Sequence, residues 1–387
     1  MSKLIYFVVG EPSGDILASR LMRALREASP DLRFTGMGGD AMKDLGFESL
    51  FPISELSVMG FWEVVPRLPL ILRRMKEVAD DIAAKQPDVL ITVDSWGFVS
   101  KLLKKLRKRG VKLPVIHYVA PQVWAWKKGR AAKVARLVNH LLCLLPYEPP
   151  YFEKHGLACT FAGHPVIETT AEMSAEPVDF RARYGIPENC TLLTVLPGSR
   201  HSEVSKLAPV FCKVIAQLSA HFPDLHLAIP TVSAMESEVK AAFAGIGVPY
   251  QVVQGQHERY NAFRASNFAL AASGTVSLEL TACGTPHVIA YKFNPLTNFI
   301  IDRLATTRFA NLINILAKKF VIPEFVLENC DEILIAPVVQ DFMQHPDKAR
   351  TIADEAAQYL QQLKPADAMP SAKAASVVLS YLSNPSK

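Results

Sequence analysis

At 387 residues the chain is too long for one ordinary core, and a prior of roughly 150 residues per domain gives two, at most three. Half of the residues are hydrophobic and a fifth are charged, so the chain is globular; a net charge of +5 with a pI near 8.8 is too mild to define a partner. The six cysteines (Cys143, Cys159, Cys190, Cys212, Cys283, Cys330) form no C-x-x-C pair, which argues against a zinc ribbon or a disulfide framework and fits a reducing cytoplasm.

Short apolar runs alternate with longer helical patterns along the whole chain. Strands are predicted at Leu4–Val9, Val89–Val93, Val115–Val119 and His140–Leu145, with Thr160–Ala162 as a further candidate. Runs this continuously apolar imply a parallel sheet covered by helices on both faces. A polar stretch at Thr169–Pro187 reads as a link. The pattern then restarts with Leu192–Leu196, Leu225–Ile229, Tyr250–Val253, Phe268–Ala271 and Pro286–Tyr291, and from Ala349 onwards it becomes helical, broken near Pro365 and Pro370. The expected architecture is α/β, with two Rossmann-like doubly wound domains at 1–170 and 191–348, a linker at 171–190 and C-terminal helices at 349–387. The opening strand carries no signal-peptide layout, and no apolar stretch reaches the roughly 18 residues needed to span a bilayer. Any membrane role is expected at the surface.

Two strand-to-helix loops in the second half suit phosphate. Leu196-Pro-Gly-Ser-Arg200 follows an apolar run and precedes a helical segment, where backbone N–H groups and a fixed cation face an anion. Gly198 and Ser199 supply backbone, and the Arg200 fork matches phosphate oxygens. The second cradle is Ser273, Gly274 and Thr275, with Glu279 one turn later as an acceptor for ribose hydroxyls, although for a lone residue a plain solvent-facing glutamate is the better reading. Two such loops in one half suggest a nucleotide-diphosphate site. The chain contains no Asp-x-Asp, the usual carboxylate clamp for a metal on a nucleotide sugar, so no metal cofactor is expected and leaving-group charge falls to Arg200 and a helix N-terminus.

The first half carries acceptor-type signals. Gly10-Glu-Pro-Ser-Gly-Asp15 ends a strand and opens a helix but lacks G-x-G-x-x-G, and Glu11 would repel a pyrophosphate; a turn and helix start at Ser13 and Gly14 is the better reading. Asp94 closes a strand, at the edge where such sheets open to ligands. It is suited to be a general base, to be a helix N-cap, or both. Tyr118-Val-Ala-Pro-Gln-Val-Trp-Ala-Trp126 also leaves a strand end, and its two tryptophans, Trp124 and Trp126, with the cations that follow suit a sugar face or an anionic acceptor, the alternative being that both tryptophans are core. Phe61–Met75 mixes apolar residues with Arg67, Arg73 and Arg74 and is interrupted by Pro66 and Pro69, giving a short amphipathic helix or a hairpin-like flap that fits a lipid interface, a packed core or a dimer contact. Phe299–Phe325 is a second such segment. Lys101–Lys112 and Lys127–Arg136 are basic without acids, but they lack aromatic platforms, so nucleic acid is not the expected partner.

With these residues in view, the chain resembles the lipid-A-disaccharide synthase family, glycosyltransferases of GT-B architecture. The resemblance rests on Gly-Glu-Pro-Ser-Gly-Asp at 10–15, Asp94, the segment 118–126, Gly-His-Pro at 163–165, Leu-Pro-Gly-Ser-Arg at 196–200 and Ser-Gly-Thr with Glu279. It implies two domains facing a central cleft and transfer of 2,3-diacylglucosamine from its UDP derivative to 2,3-diacylglucosamine 1-phosphate, giving a β-1,6 disaccharide 1-phosphate and UDP with inversion. It further implies Asp94 as base, Arg200 at the nucleotide, Asn311 on the donor side, and Glu11, Ser13, Gln122, Trp124 and His164 on the acceptor side. Where the family often has Pro-Asp-Phe after the aspartate, this chain has Trp96-Gly97-Phe98. A cytoplasmic protein held peripherally at the inner membrane follows, and a homodimer is compatible with it. A UDP-N-acetylglucosamine 2-epimerase shares the layout but leaves 61–75 and the tryptophan segment without a use.

Overall fold

The computed structural model describes residues 2–56, 61–123, 129–174, 178–292 and 309–383, with backbone alone at 61–65. Trp124 and Trp126, and residues 299–308 of the second apolar segment, lie outside the described residues. The chain divides into two compact units, Met1–Pro165 with Leu363–Lys387, and Val166–Gln362.

The first unit holds six parallel strands, β1 (Leu4–Val9), β2 (Arg33–Met37), β3 (Val89–Val93), β4 (Val115–Tyr118), β5 (His140–Cys143) and β6 (Ala158–Phe161), in the order β2-β1-β3-β4-β5-β6. The chain leaves β1 towards one edge and returns to the other side of it at β3, so the topological switch lies between the carboxyl ends of β1 and β3. Ile5, Tyr6, Phe7 and Val9 have no exposed surface, and each such side chain contributes about 1.5–3 kcal/mol on burial. The helix Pro12–Ala28 packs close over the sheet because Gly14 leaves room: a Cβ there would sit 3.3 Å from Val9 Cγ1.

The second unit repeats the plan with β7 (Leu192–Leu196), β8 (His226–Pro230), β9 (Tyr250–Val253), β10 (Phe268–Ala272), β11 (His287–Tyr291) and β12 (Glu324–Val326), ordered β12-β11-β10-β7-β8-β9 and all parallel. Its switch falls between β7 and β10, whose following loops are the two phosphate-type loops.

Several expectations need correction. Phe61–Lys85 is one helix of 25 residues, not a short helix or flap. Pro66 and Pro69 lie one turn apart and both are exposed, so the carbonyls they leave unpaired can reach water. Arg74 fixes this helix through a bidentate pair with Glu55 at 2.7 and 2.8 Å, a bond to Glu77 at 2.6 Å and a position 4.5 Å over the Phe51 ring. β2 went unread because its sequence is half polar and contains Gly36, where a Cβ would lie 2.0 Å from the Phe7 carbonyl oxygen. β12, with three residues, is too short to show a pattern. The polar stretch expected to link the domains contains the helices Val166–Ser174 and Phe180–Tyr184, both in the second unit. The C-terminal helices divide as well: Pro346–Leu360 belongs to the second unit, whereas Pro370–Ser383 returns to the first and packs on the helix Pro12–Ala28.

Candidate active site

In the second unit, a cavity of about 380 Å³ opens at the switch point. Gly198, Ser199 and Arg200 line it from the loop after β7, Thr231 from the end of β8, and Ser273, Gly274, Thr275 and Glu279 from the loop and helix after β10. Parallel strands delivering their carboxyl ends to one crevice account for this convergence.

Two arginine–carboxylate pairs face the cavity. Arg200 stands at the N-cap position of the helix His201–Ser219 and reaches Glu203 Oε1 at 3.3 Å with its side chain about half exposed. Glu203 is more enclosed; its Oε2 accepts the backbone N–H of Ser199 at 2.9 Å, and its Oε1 accepts from the Tyr291 hydroxyl at 3.3 Å. The loop needs glycine at 198, with φ of +120° and a hypothetical Cβ 2.4 Å from Glu203 Cβ. Arg259, on the helix Gln256–Ala265, bonds Glu279 at 2.8 Å. Burial raises the Glu279 carboxyl above its ordinary pKa, and Arg259 opposes that shift. Sequence reasoning missed Glu203, Thr231 and Arg259. Glu203 stands one turn into the helix in the position of a capping-box acid, a signal that could have found it; Arg259 belongs to no local motif.

Asn311 does not line this cavity. It is buried, its Oδ1 accepts the Ile313 N–H as cap of the helix Leu312–Ala317, and its Nδ2 donates to Ser277 Oγ at 2.5 Å. The Ser277 hydroxyl lies 2.7 Å from His287 Nε2, and His287 Nδ1 lies 2.9 Å from the Thr285 carbonyl. With Nδ1 protonated this is one consistent donor chain through a neutral imidazole, whose pKa burial depresses to about 4.

In the first unit, the switch brings Glu11, Ser95 and Asp94 together. Ser95 Oγ donates to Glu11 Oε1 at 3.0 Å, and Asp94 Oδ1 accepts the Ser95 N–H at 2.8 Å. Asp94 and Ser95 both occupy the left-handed region, at φ of +54° and +46°, and Val119 on the neighbouring strand end is at +80°. Strained backbone of this kind, about 1–3 kcal/mol per residue, gathers at functional sites. Ser95, not Asp94, stands at the N-cap position of the helix Trp96–Lys108, though its side chain makes no capping bond. Burial, then the charge of Glu11, raises the Asp94 pKa, while the Ser95 N–H lowers it. Beneath this turn Trp96 lies 4.9 Å from the ring of buried His117, whose Nδ1 is 2.8 Å from Thr92 Oγ1.

Ser13 is exposed in the first turn after β1, and Gln122 is exposed on the loop after β4. Asp15 is structural: its carboxylate accepts the N–H groups of Gly39 and Ala41, each at 2.8 Å. His164 is buried where the chain returns, its N–H donating to the Leu363 carbonyl. Gly163 permits that approach, since a Cβ would lie 2.5 Å from Pro365 Cδ.

Two doubly wound parallel units, one with an anion-type pocket at its switch point, are the architecture of GT-B-type nucleotide-sugar enzymes. A family model described as lipid-A-disaccharide synthetase matches residues 5–378. The chain is 42% identical over 380 residues to the lipid-A-disaccharide synthase of Rhodospirillum centenum, covering 98% of this chain and 94% of the relative. It is 45% identical over 382 residues to that of Paramagnetospirillum magneticum, covering 98% and 97%. The chain belongs to the lipid-A-disaccharide synthase family. Among solved structures, a UDP-GlcNAc 2-epimerase from Neisseria meningitidis bound to UDP-GlcNAc aligns with a TM-score of 0.65 at 10% identity, over 98% of this chain and 99% of that one. A glycosyltransferase from Rickettsia africae aligns at 0.61 and 10%, over 100% and 99%. At such identities the likeness is one of fold.

Proposed function

We propose that the protein transfers a 2,3-diacylglucosamine unit from its UDP derivative to 2,3-diacylglucosamine 1-phosphate, producing a β-1,6-linked disaccharide 1-phosphate and UDP. The observation that carries this reading beyond family membership is the pocket between the ends of β7 and β10, with its Gly-Ser-Arg loop, its Ser-Gly-Thr loop and a half-exposed arginine. A nucleoside diphosphate needs those groups: N–H donors for phosphate oxygens, a fork-shaped cation for the departing charge, and Glu279 as acceptor for sugar hydroxyls.

In the proposed reaction Asp94 takes the proton of the acceptor 6-hydroxyl. The oxygen forms its bond to the anomeric carbon from the face opposite UDP, and the bond to the β-phosphate oxygen breaks with its electron pair leaving on UDP. Arg200 and the loop N–H groups receive that charge, and the reaction runs without an added metal.

The lipid substrates place the enzyme at a membrane surface. Among the described residues no helix is long and apolar enough to cross one. The helix Phe61–Lys85 instead exposes Leu68 and Leu72, 41% and 50%, among Arg67 and Arg73, a composition suited to an anionic lipid surface.

Incubating the purified protein with both substrates in detergent and weighing the products by mass spectrometry tests this reading. A disaccharide phosphate is the expected product; UDP binding with no disaccharide leaves a donor site whose acceptor is a different one.

A further inference from the structure

The pocket of the second unit contains two arginines that are not equivalent. Arg200 is half exposed and bonds Glu203 at a long 3.3 Å, so an entering phosphate can recruit it. Arg259 is less exposed, at 31%, and its 2.8 Å bond goes to Glu279, itself only 16% exposed. A carboxylate this enclosed and without a cation would take up a proton and turn from acceptor into donor. The groups acting on Glu279 are Arg259 and Tyr260 from the adjoining helix, and Glu279 in turn acts on Cys283. Arg259 supplies the positive charge in that set. Its Nε is also buried without a hydrogen-bond partner among the described residues, a cost seldom borne away from a functional site.

We propose that Arg259 is a positioning residue for the donor: it holds the Glu279 carboxylate as an acceptor for the paired hydroxyls of the UDP ribose, while Arg200 is the arginine that joins the loop N–H groups on the diphosphate. This rests on the pocket being the donor site. Arg259 acts through Glu279, so its removal weakens recognition of ribose hydroxyls and spares recognition of phosphate.

The experiment compares calorimetric binding of UDP and 2′-deoxyuridine diphosphate to the full-length protein and to Arg259→Gln, Arg259→Lys and Glu279→Gln, each between pH 5.5 and 8. Wild type is expected to favour UDP roughly tenfold, the scale of one hydrogen bond to a charged group. Arg259→Gln and Glu279→Gln lose that preference and bind the deoxy ligand as wild type does. Arg259→Lys retains part of it, and in Arg259→Gln whatever preference remains grows as pH rises and Glu279 ionises. Equal weakening of both ligands in Arg259→Gln, or an unchanged ratio, overturns the proposal; if Arg259→Gln does not fold, an unchanged ratio in Glu279→Gln does so. Failure of wild type to bind either ligand overturns instead the donor-site reading.

Discussion

The Glu203 carboxylate accepts the backbone N–H of Ser199 at 2.9 Å, closing the Gly-Ser-Arg loop from the first turn of the helix that follows it. The contact needs Gly198, since a Cβ there would collide with Glu203 Cβ at 2.4 Å and would have to adopt φ of +120°. Gly198→Ala is therefore expected to lose UDP binding and to cost about 1–3 kcal/mol of stability from backbone strain. Calorimetry with UDP and urea unfolding check the two parts; an alanine variant that binds UDP normally would show that loop closure does not matter.

Asp94 must be ionised to act as a base, and burial followed by the charge of Glu11 raises its pKa. The acid limb of kcat/KM should then lie above the ordinary aspartate value of about 3.9. Glu11→Gln removes the like charge and should move that limb to lower pH; Asp94→Asn should abolish turnover with UDP binding intact. A pH–rate profile that Glu11→Gln leaves in place removes Glu11 from the site.

Three buried histidines and one partly buried one set the acid sensitivity of the fold. Burial lowers His117 to about 3, and His140, His164 and His287 to about 4. Folded imidazoles stay neutral while unfolded ones protonate near 6.5, so the stability they give is complete above that pH and falls as pH drops towards 4. The fully buried His117 and His287 contribute on the order of 1.4 kcal/mol per pH unit each in that window. The raised carboxyls of Asp94, Glu279 and Glu324 work in the opposite direction and offset part of the fall. Urea unfolding at pH 6.5, 5.5 and 4.5 should show a net decline, and equal midpoints would contradict this account.

The chain Asn311–Ser277–His287 is fully internal, so Asn311→Ala strands buried partners and should cost about 1–3 kcal/mol. Thermal or urea unfolding measures it. A loss below a few tenths would mean that the network is not holding the helix Leu312–Ala317.

Leu68→Glu with Leu72→Glu should weaken sedimentation with anionic vesicles by roughly tenfold, since apolar insertion and charge attraction both suffer. Folding should persist, because Leu72 is half exposed and Leu68 nearly so. Unchanged vesicle binding would assign the membrane contact to a different surface.

The sequence exposes loops better than it exposes what supports them. Gly198–Arg200 and Ser273–Thr275 were legible because phosphate-type loops depend on local spacing after an apolar strand, and Asp94 was legible from its place at a strand end. Arg259 was not, because its partner Glu279 is twenty residues away and the pair exists only once two helices pack. Asn311 carried a family signal, but its bonds to Ser277 and Ile313 depend on tertiary placement. The helix Phe61–Lys85 was misread because two prolines in sequence look like breaks, whereas exposure of both lets water satisfy the backbone they interrupt.

The central claim, direct displacement of UDP by the acceptor hydroxyl, is tested most directly by the anomeric configuration of the new linkage. The one-bond carbon–proton coupling at the joined anomeric carbon, measured by NMR on product made with 13C-labelled donor, should report a β linkage with one UDP released per disaccharide. An α linkage, or UDP released without disaccharide, would contradict it.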